Sequence, residues 1–332
     1  MNSLLAMIDN AISAMQTWLF VDLIQPAMFQ LGLMGYDEDT YDALYWVLVG
    51  VLQVVASYAL LRPLEAWRPV EAWRDRAQTR PDILYTWIAK LGLINTAFFF
   101  LLQPLFNHLQ SLVSVHGVPN IDLDRLWPGV TDQAIVSFLI YLVVLDFAGY
   151  WYHRWQHGIS IWWELHAVHH SQQQMSLWSD DRNHFLDDIL QAAFFAALAL
   201  FIGVAPIQYV ALVAVGNFLQ SVQHANARLP FGPVLERVLV SPAFHRWHHA
   251  LDIPLGRTGG WNFGILFPWW DMMFGTASWG HAAEPTGIRE QLPAPQGAGR
   301  SYGKGLLAQQ WLALGRIAGH LRPRRAQRQA SP

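Results

Sequence analysis

The stretch AIVSFLIYLVVLDFAGYWYHRWQHGISIWWELHAVHH, Ala134 to His170, joins an apolar run to a run of imidazoles. From Ala134 to Tyr152 it is apolar enough for one membrane crossing, interrupted near its end by Asp146, and His153/His157 and His166/His169/His170 follow at once. Residues three and four apart share a helix face, so each cluster is expected to present its rings toward a single point. A third cluster, His245/His248/His249, repeats the spacing, and together the three hold eight of the 14 histidines. Convergent neutral imidazoles suit iron, zinc, copper or nickel. The chain has no cysteine, so thiolate sites and iron–sulfur clusters are excluded. Eight imidazoles exceed the three or four ligands of one zinc site and point to two metals held close together.

Composition places this site in a membrane. Apolar residues make up 53% of the chain and charged residues 14%, against about 45–50% and about 25% in soluble domains. The segment Ala43 to Leu61 runs nineteen residues without a charge, enough to cross a hydrocarbon core of about 30 Å. A second span is expected within Trp87 to Phe106 and a third within Ala134 to Tyr152; Ile189 to Val222, with Gly203 and Pro206 near its middle, reads as a helical hairpin. The residues from Leu4 to Leu33 fit an interfacial helix and a span equally well. A hairpin returns the chain to the side it left, so all the histidine clusters can meet. No Lys or Arg precedes Arg62, whereas Arg62, Arg68, Arg74, Arg76 and Arg80 crowd the first loop. That asymmetry puts the clusters and the tail with Arg322, Arg324, Arg325 and Arg328 in the cytoplasm.

The expected fold is an all-α integral membrane protein of about four to five transmembrane helices, with a cytoplasmic helical cap carrying the histidine-rich di-metal site. Three regions follow: 1–132, an N-terminal interfacial segment and the first two spans; 133–279, the catalytic domain; and 280–332, a linker with a peripheral basic tail and an amphipathic helix at Leu306 to Leu321. Met1 opens no cleavable signal pattern, so the first span is expected to act as the insertion signal. A net charge of −3 gives no reason to expect nucleic acid, and the basic tail suits anionic lipid headgroups.

Several segments resemble the fatty acid hydroxylase/sterol desaturase superfamily: DFAGYWYHRWQH (Asp146 to His157), LHAVHHS (Leu165 to Ser171), RNH (Arg182 to His184), QHAN (Gln223 to Asn226), HRWHH (His245 to His249), NFG (Asn262 to Gly264) and WDMMFGT (Trp270 to Thr276). The resemblance implies a membrane-bound, non-haem di-iron oxygenase acting on a lipid with O2 as co-substrate; zinc, which binds the same imidazoles more tightly, can replace the two iron ions in purified protein. It implies metal ligands at His153, His157, His166, His169, His170, His245, His248 and His249, with His224 of QHAN as a further one. His184 is also a candidate, although Phe185 stands where the family's run has proline.

An unactivated C–H bond is beyond ordinary acid–base groups, whereas two irons reducing dioxygen together can reach the necessary oxidising power. Hydroxylation and desaturation are both open to such a centre, and histidine spacing does not separate them. Neutral ligands leave metal charge uncompensated, so acids should orient the rings. Asp146, seven residues before His153, is the first candidate, ahead of Glu164, Asp187, Asp188 and Asp271. Asn262 either holds a metal-bound water or a ligand ring, or forms a turn before Phe263 and Gly264. Trp261, Trp269 and Trp270 are expected in an interfacial belt.

With no nucleotide fingerprint and no cysteine, electrons are expected from a separate ferredoxin or small cytochrome with its reductase. A zinc protease would need HExxH, but Arg154 and Arg246 occupy the glutamate's position. A transporter would place its histidines at midplane. A non-enzymatic histidine-rich metal-binding protein is the remaining alternative, distinguishable because storage consumes no dioxygen. Nineteen Arg against two Lys suggest a GC-rich bacterial genome and an inner membrane, or the endoplasmic reticulum in a eukaryote.

Overall fold

The computed structural model describes residues 2–73, 79–94, 121–251, 260–280 and 284–321, with isolated positions between 96 and 117. Within these the protein is helical, and its one β-type pairing is an isolated bridge between Ala250 and Thr286. α1 (Asn2–Leu19) continues through a π-turn at Phe20–Ile24 into α2 (Gln25–Leu31), which Gly32 closes in the left-handed region at φ 70°. This arm lies on α3 (Asp37–Trp67): Gln16 Nε2 donates to the Tyr41 carbonyl at 2.8 Å, and Phe20 meets the Tyr41 ring edge-on at 5.2 Å.

Among the described residues, two segments are long and apolar enough to cross a membrane, Met34–Trp67 and α5 (Ala134–Gly158), with mean hydropathies of 2.0 and 1.9. Only about a third of each is buried, 33% and 28% of the most apolar window, so most of their Leu, Val and Ile surface faces outward. Such surface needs lipid rather than water around it. α4 (Thr79–Lys90) enters the expected second span but stops where Gly92 turns at φ 61°. Most of the remainder of that span lies outside the described residues.

The hairpin is present as α7 (Phe185–Phe201) and α8 (Pro206–His224), reversing at Gly203 with φ 81°. A Cβ there would lie 3.0 Å from the Asp122 Cα, so the turn needs glycine for conformation and for space. Tyr141 of α5 donates to the Gly203 carbonyl at 3.2 Å, and Leu145, Leu198, Ala199 and Leu212 close a core between α5 and the hairpin.

The remaining shorter helices, called the cap for brevity, are α6 (Ser160–His170), α9 (Gly232–Leu235), α10 (Pro242–His248), α11 (Trp269–Phe274) and α12 (Leu306–Leu321). α6 leaves the end of α5 after one linking residue and packs against α5, α7 and α12. α12, expected as a peripheral helix, is fastened to the cap by its polar residues. Gln310 donates to the Tyr85 hydroxyl and the Asn183 carbonyl and accepts from Phe185 N, while Arg316 and His320 reach Glu164 of α6 at 2.7 and 2.9 Å. Glu65 and Asn226 tie the C-terminal end of α3 to the segments that follow α6 and α8. The Glu65 carboxylate accepts from Leu177 N and Asn226 N, and the Asn226 amide oxygen from Val70 N and Glu71 N.

Candidate metal centre

Nine histidines from α5, α6, α8 and the α10 segment converge into two adjacent groups. One holds His169, His224, His245 and His249; the other holds His153, His157, His166, His170 and His248; within each group one nitrogen per ring lies within 4.8 Å of the others. The groups touch where His170 stacks on His249 at 4.3 Å.

The expectation that each cluster points at one place is corrected by this division. A helix advances about 100° per residue, so i and i+4 nearly eclipse while i+3 lies to one side. Accordingly His166 and His170 enter one group and His169 the other, and His245 and His249 are separated from His248 in the same way. The pair His153/His157, spaced by four alone, stays together.

The four-histidine group tests whether these residues fit a metal. Its Nε2 atoms face one another, His224 to His245 at 3.0 Å, His224 to His169 at 3.3 Å and His245 to His249 at 3.2 Å. A neutral imidazole nitrogen carries either one proton or one lone pair, so these contacts cannot all be hydrogen bonds at once. Nitrogens at about 2.0–2.1 Å around a tetrahedral ion stand roughly 3.3–3.4 Å apart, close to the edges seen. In the five-histidine group, the Nε2 atoms of His157, His166, His170 and His248 are buried without hydrogen-bond partners. Burial, reinforced by neighbouring imidazoles, holds His169, His170, His245 and His249 well below the ordinary value of 6.5, and brings His248 to about 3. These rings are therefore neutral at pH 7, the form that binds metal.

Backbone carbonyls set the tautomers. His248 Nδ1 lies 2.6 Å from the Trp261 carbonyl, His153 Nδ1 3.0 Å from that of Phe263, and His224 Nδ1 2.9 Å from that of Gln220. A carbonyl only accepts, so each Nδ1 carries the proton and each Nε2 lone pair points inward. Two of these carbonyls flank Asn262, which adopts φ 58°. Its side chain donates to the Phe244 and Ser278 carbonyls and accepts from Ser278 N at 2.7 Å. Of the two readings of Asn262, the turn is the one realised, and its side chain bonds to backbone rather than to a ligand ring.

Asp146 likewise works on the loop. Its carboxylate accepts from Leu266 N, Phe267 N and Trp270 Nε1 at 2.7, 3.3 and 2.8 Å. Asp271 accepts from Phe263 N, Gly264 N and the Thr276 hydroxyl at 2.8, 2.7 and 2.6 Å, with burial pushing its carboxyl up to about 6. A Cβ on Gly264 would lie 2.6 Å from the Phe267 carbonyl, so this loop closes only with glycine.

The carboxylates nearest the rings are others. Asp187, fixed by Gln156 and Trp162, lies 3.6 Å from His166 Nδ1, and Asp180 lies 3.5 Å from His224 Nδ1. Asp180 was not singled out from the sequence, and neither was the ion pairing of Lys90 with it and Asp181 at 3.8 and 2.8 Å. The signal lay in Lys90 itself, a charge inside an otherwise apolar stretch that must find a partner.

His184 joins neither group. Its Nδ1 accepts from Leu186 N at 3.1 Å, capping α7, and its Nε2 contacts the Gln310 carbonyl at 3.2 Å, so both nitrogens are engaged away from the rings. Arg182 of the same segment braces the end of α6 through the Val168 carbonyl and the Ser171 hydroxyl. Of the three tryptophans expected in an interfacial belt, Trp261 is buried and stacked on Trp247 at 5.2 Å, whereas Trp269 and Trp270 are part-exposed and Trp270 Nε1 donates to Asp146. Among the remaining histidines, His320 pairs with Glu164, while His116 and His281 lie outside the described residues.

Comparison with known proteins agrees with this geometry. Residues 138–276 match the family described as fatty acid hydroxylase. An ornithine lipid hydroxylase of Rhizobium tropici is 29% identical over 76% of this chain and 74% of its own length. Human alkylglycerol monooxygenase is 33% identical over 40% of this chain and 28% of its own. A Delta(7)-sterol-C5(6)-desaturase of Nicotiana tabacum is 31% identical over 43% and 49% respectively. No solved structure matches the chain.

Proposed function

We propose that this chain, whose residues 138–276 match the fatty acid hydroxylase family, is an integral membrane lipid hydroxylase that uses two iron ions, O2 and electrons from a separate donor. The observation that carries the reading is the pair of adjacent all-histidine groups, one with four Nε2 atoms buried without hydrogen-bond partners and the other with Nε2 atoms facing one another in contacts that cannot all be hydrogen bonds. His169, His224, His245 and His249 would hold one ion, and His153, His157, His166, His170 and His248 the other. When bound, the iron pair supplies the oxidising power needed to break an unactivated C–H bond with dioxygen and two electrons.

The chain's own residues bind, orient and shield. Trp261, Phe263 and Gln220 hold the Nδ1 protons of His248, His153 and His224, leaving the opposite nitrogens bare for metal. Asp187 and Asp180 stand behind His166 and His224, where negative charge offsets ions bound by neutral rings. Burial of the rings excludes bulk water, and with it unproductive loss of oxidising equivalents. The donor, a ferredoxin or small cytochrome with its reductase, would dock on the cytoplasmic face, to which the arginine-rich first loop assigns the cap.

An ornithine-containing membrane lipid is the first substrate to test, because similarity to the Rhizobium enzyme extends well beyond the matched domain. Lipids from a host that makes ornithine lipids, with and without this chain, would be compared by mass spectrometry beside a His249→Ala control. Gain of one oxygen, absent from the control, is expected. Loss of two hydrogens would instead favour the desaturase reading that the tobacco relative supports. An unchanged lipid profile from iron-loaded protein supplied with a competent donor would refute both.

A further inference from the structure

α12 is built inside out. Its buried positions are Gln309, Gln310 and Ala313, and its charged residue Arg316 is turned inward to Glu164. Outward it presents Leu307, Trp311, Leu312, Leu314 and Leu321, with Leu307, Trp311 and Leu321 exposed by 70%, 71% and 68%. Apart from His320, which is paired with Glu164, every exposed position of the helix is Leu, Trp, Ala or Gly. A helix facing water has the opposite pattern.

Two further observations identify what covers the stripe. α12 packs on α6, which leaves the end of the α5 span after a single residue, so the stripe lies near the membrane boundary. No acidic residue follows Glu290, whereas Arg322, Arg324, Arg325 and Arg328 follow the helix directly. Apolar stripe and basic flank are complementary to the acyl and headgroup layers of an anionic bilayer. We infer that α12 is an interfacial anchor that lays Leu307, Trp311 and Leu314 into the anionic phospholipid surface while its polar face grips the metal-bearing cap. This inference rests on the membrane reading and holds whatever lipid is oxidised.

The chain has no cysteine, so single-cysteine variants report without background. Nitroxide labels at Leu307→Cys, Leu314→Cys, Ala318→Cys and the exposed loop position Gln296→Cys would be compared in full-length protein in phosphatidylcholine vesicles with and without phosphatidylglycerol. The ratio of oxygen to nickel-chelate accessibility should be several-fold higher at the three helix positions than at Gln296. Phosphatidylglycerol should raise it further, and changing the four tail arginines to Gln should remove that increment. Nickel-chelate accessibility equal to that at Gln296 would overturn the inference, and so would spin–spin broadening at high lipid dilution, which would mean that a second copy covers the stripe. Leu314→Cys and Ala318→Cys are mild exposed changes, and unchanged metal content would verify the fold of each variant.

Discussion

Replacing Asp271 with Asn should loosen one metal group and spare the other. The carboxylate accepts from Phe263 N, Gly264 N and the Thr276 hydroxyl, and the loop it holds delivers the Trp261 and Phe263 carbonyls to His248 and His153. Asn keeps the shape but turns an NH2 toward one of those donors. A buried donor left unsatisfied costs about 1–3 kcal/mol, and disturbing the partner of a metal-bound histidine lowers affinity about 10–100-fold. Both affected rings belong to the five-histidine group, while the other group relies on the Gln220 carbonyl and Asp180. Metal content would be followed by mass spectrometry across a chelator titration. The natural protein should release its two equivalents at higher chelator than the first equivalent lost from the variant, and the variant's second equivalent should remain near the natural position. Equal weakening of both equivalents, or of neither, would refute the assignment of the loop to one group.

His249→Ala should remove the ion of the four-histidine group and abolish product, whereas His184→Ala should lower helix stability by about 1 kcal/mol through loss of a cap and leave two metal equivalents in place; metal analysis and thermal melting separate these outcomes. Glu164→Gln should detach α12: burial alone would raise this carboxyl, but hydrogen bonds from His320, Arg300 and Arg316 hold it below 4.5. A depressed carboxyl contributes stability that is present above pH 4.5 and is lost as the pH falls through its lower folded value. Protease cleavage near residue 300 should therefore rise steeply only in that acid window, and at all pH values in the variant. Cysteines at Tyr36 and Ser331 should react with impermeant reagents from opposite sides of the membrane; reaction from one side would break the assigned orientation.

Much of the fold was legible because long apolar runs admit few alternatives in a polar solvent. α3, α5 and the α7–α8 hairpin lie where hydropathy placed them, and glycine at position 203 marked the reversal. Nine of the ten candidate histidines come together in the two groups, eight of them singled out by helical spacing and His224 by the QHAN resemblance. The tenth, His184, shows the limit: a histidine at a helix start serves the first turn as readily as a metal, and only three-dimensional neighbours such as Gln310 decide. The carbonyl loop was invisible for a related reason, since Trp261 and Phe263 act through backbone atoms that every residue possesses. Asp146, Asp271 and Asn262 were visible as polar residues, but their partners lie on segments up to 124 residues away.

The spacing of the histidines also carries a rule of address. A helix that contributes to one histidine group needs only two rings spaced by four, as α5 has. The triplets on α6 and around α10 insert an i+3 ring that faces the neighbouring group, so each of these elements spells two destinations in five residues. One residue inserted between His166 and His169 would make that spacing four and bring both rings onto one face. Insertions and deletions should therefore be excluded from these two pentads even where substitutions between the histidines are tolerated. In a descendant that kept only one of the two groups, the i+3 and i+4 rings would be free to drift apart, and the pentads would decay into simple pairs.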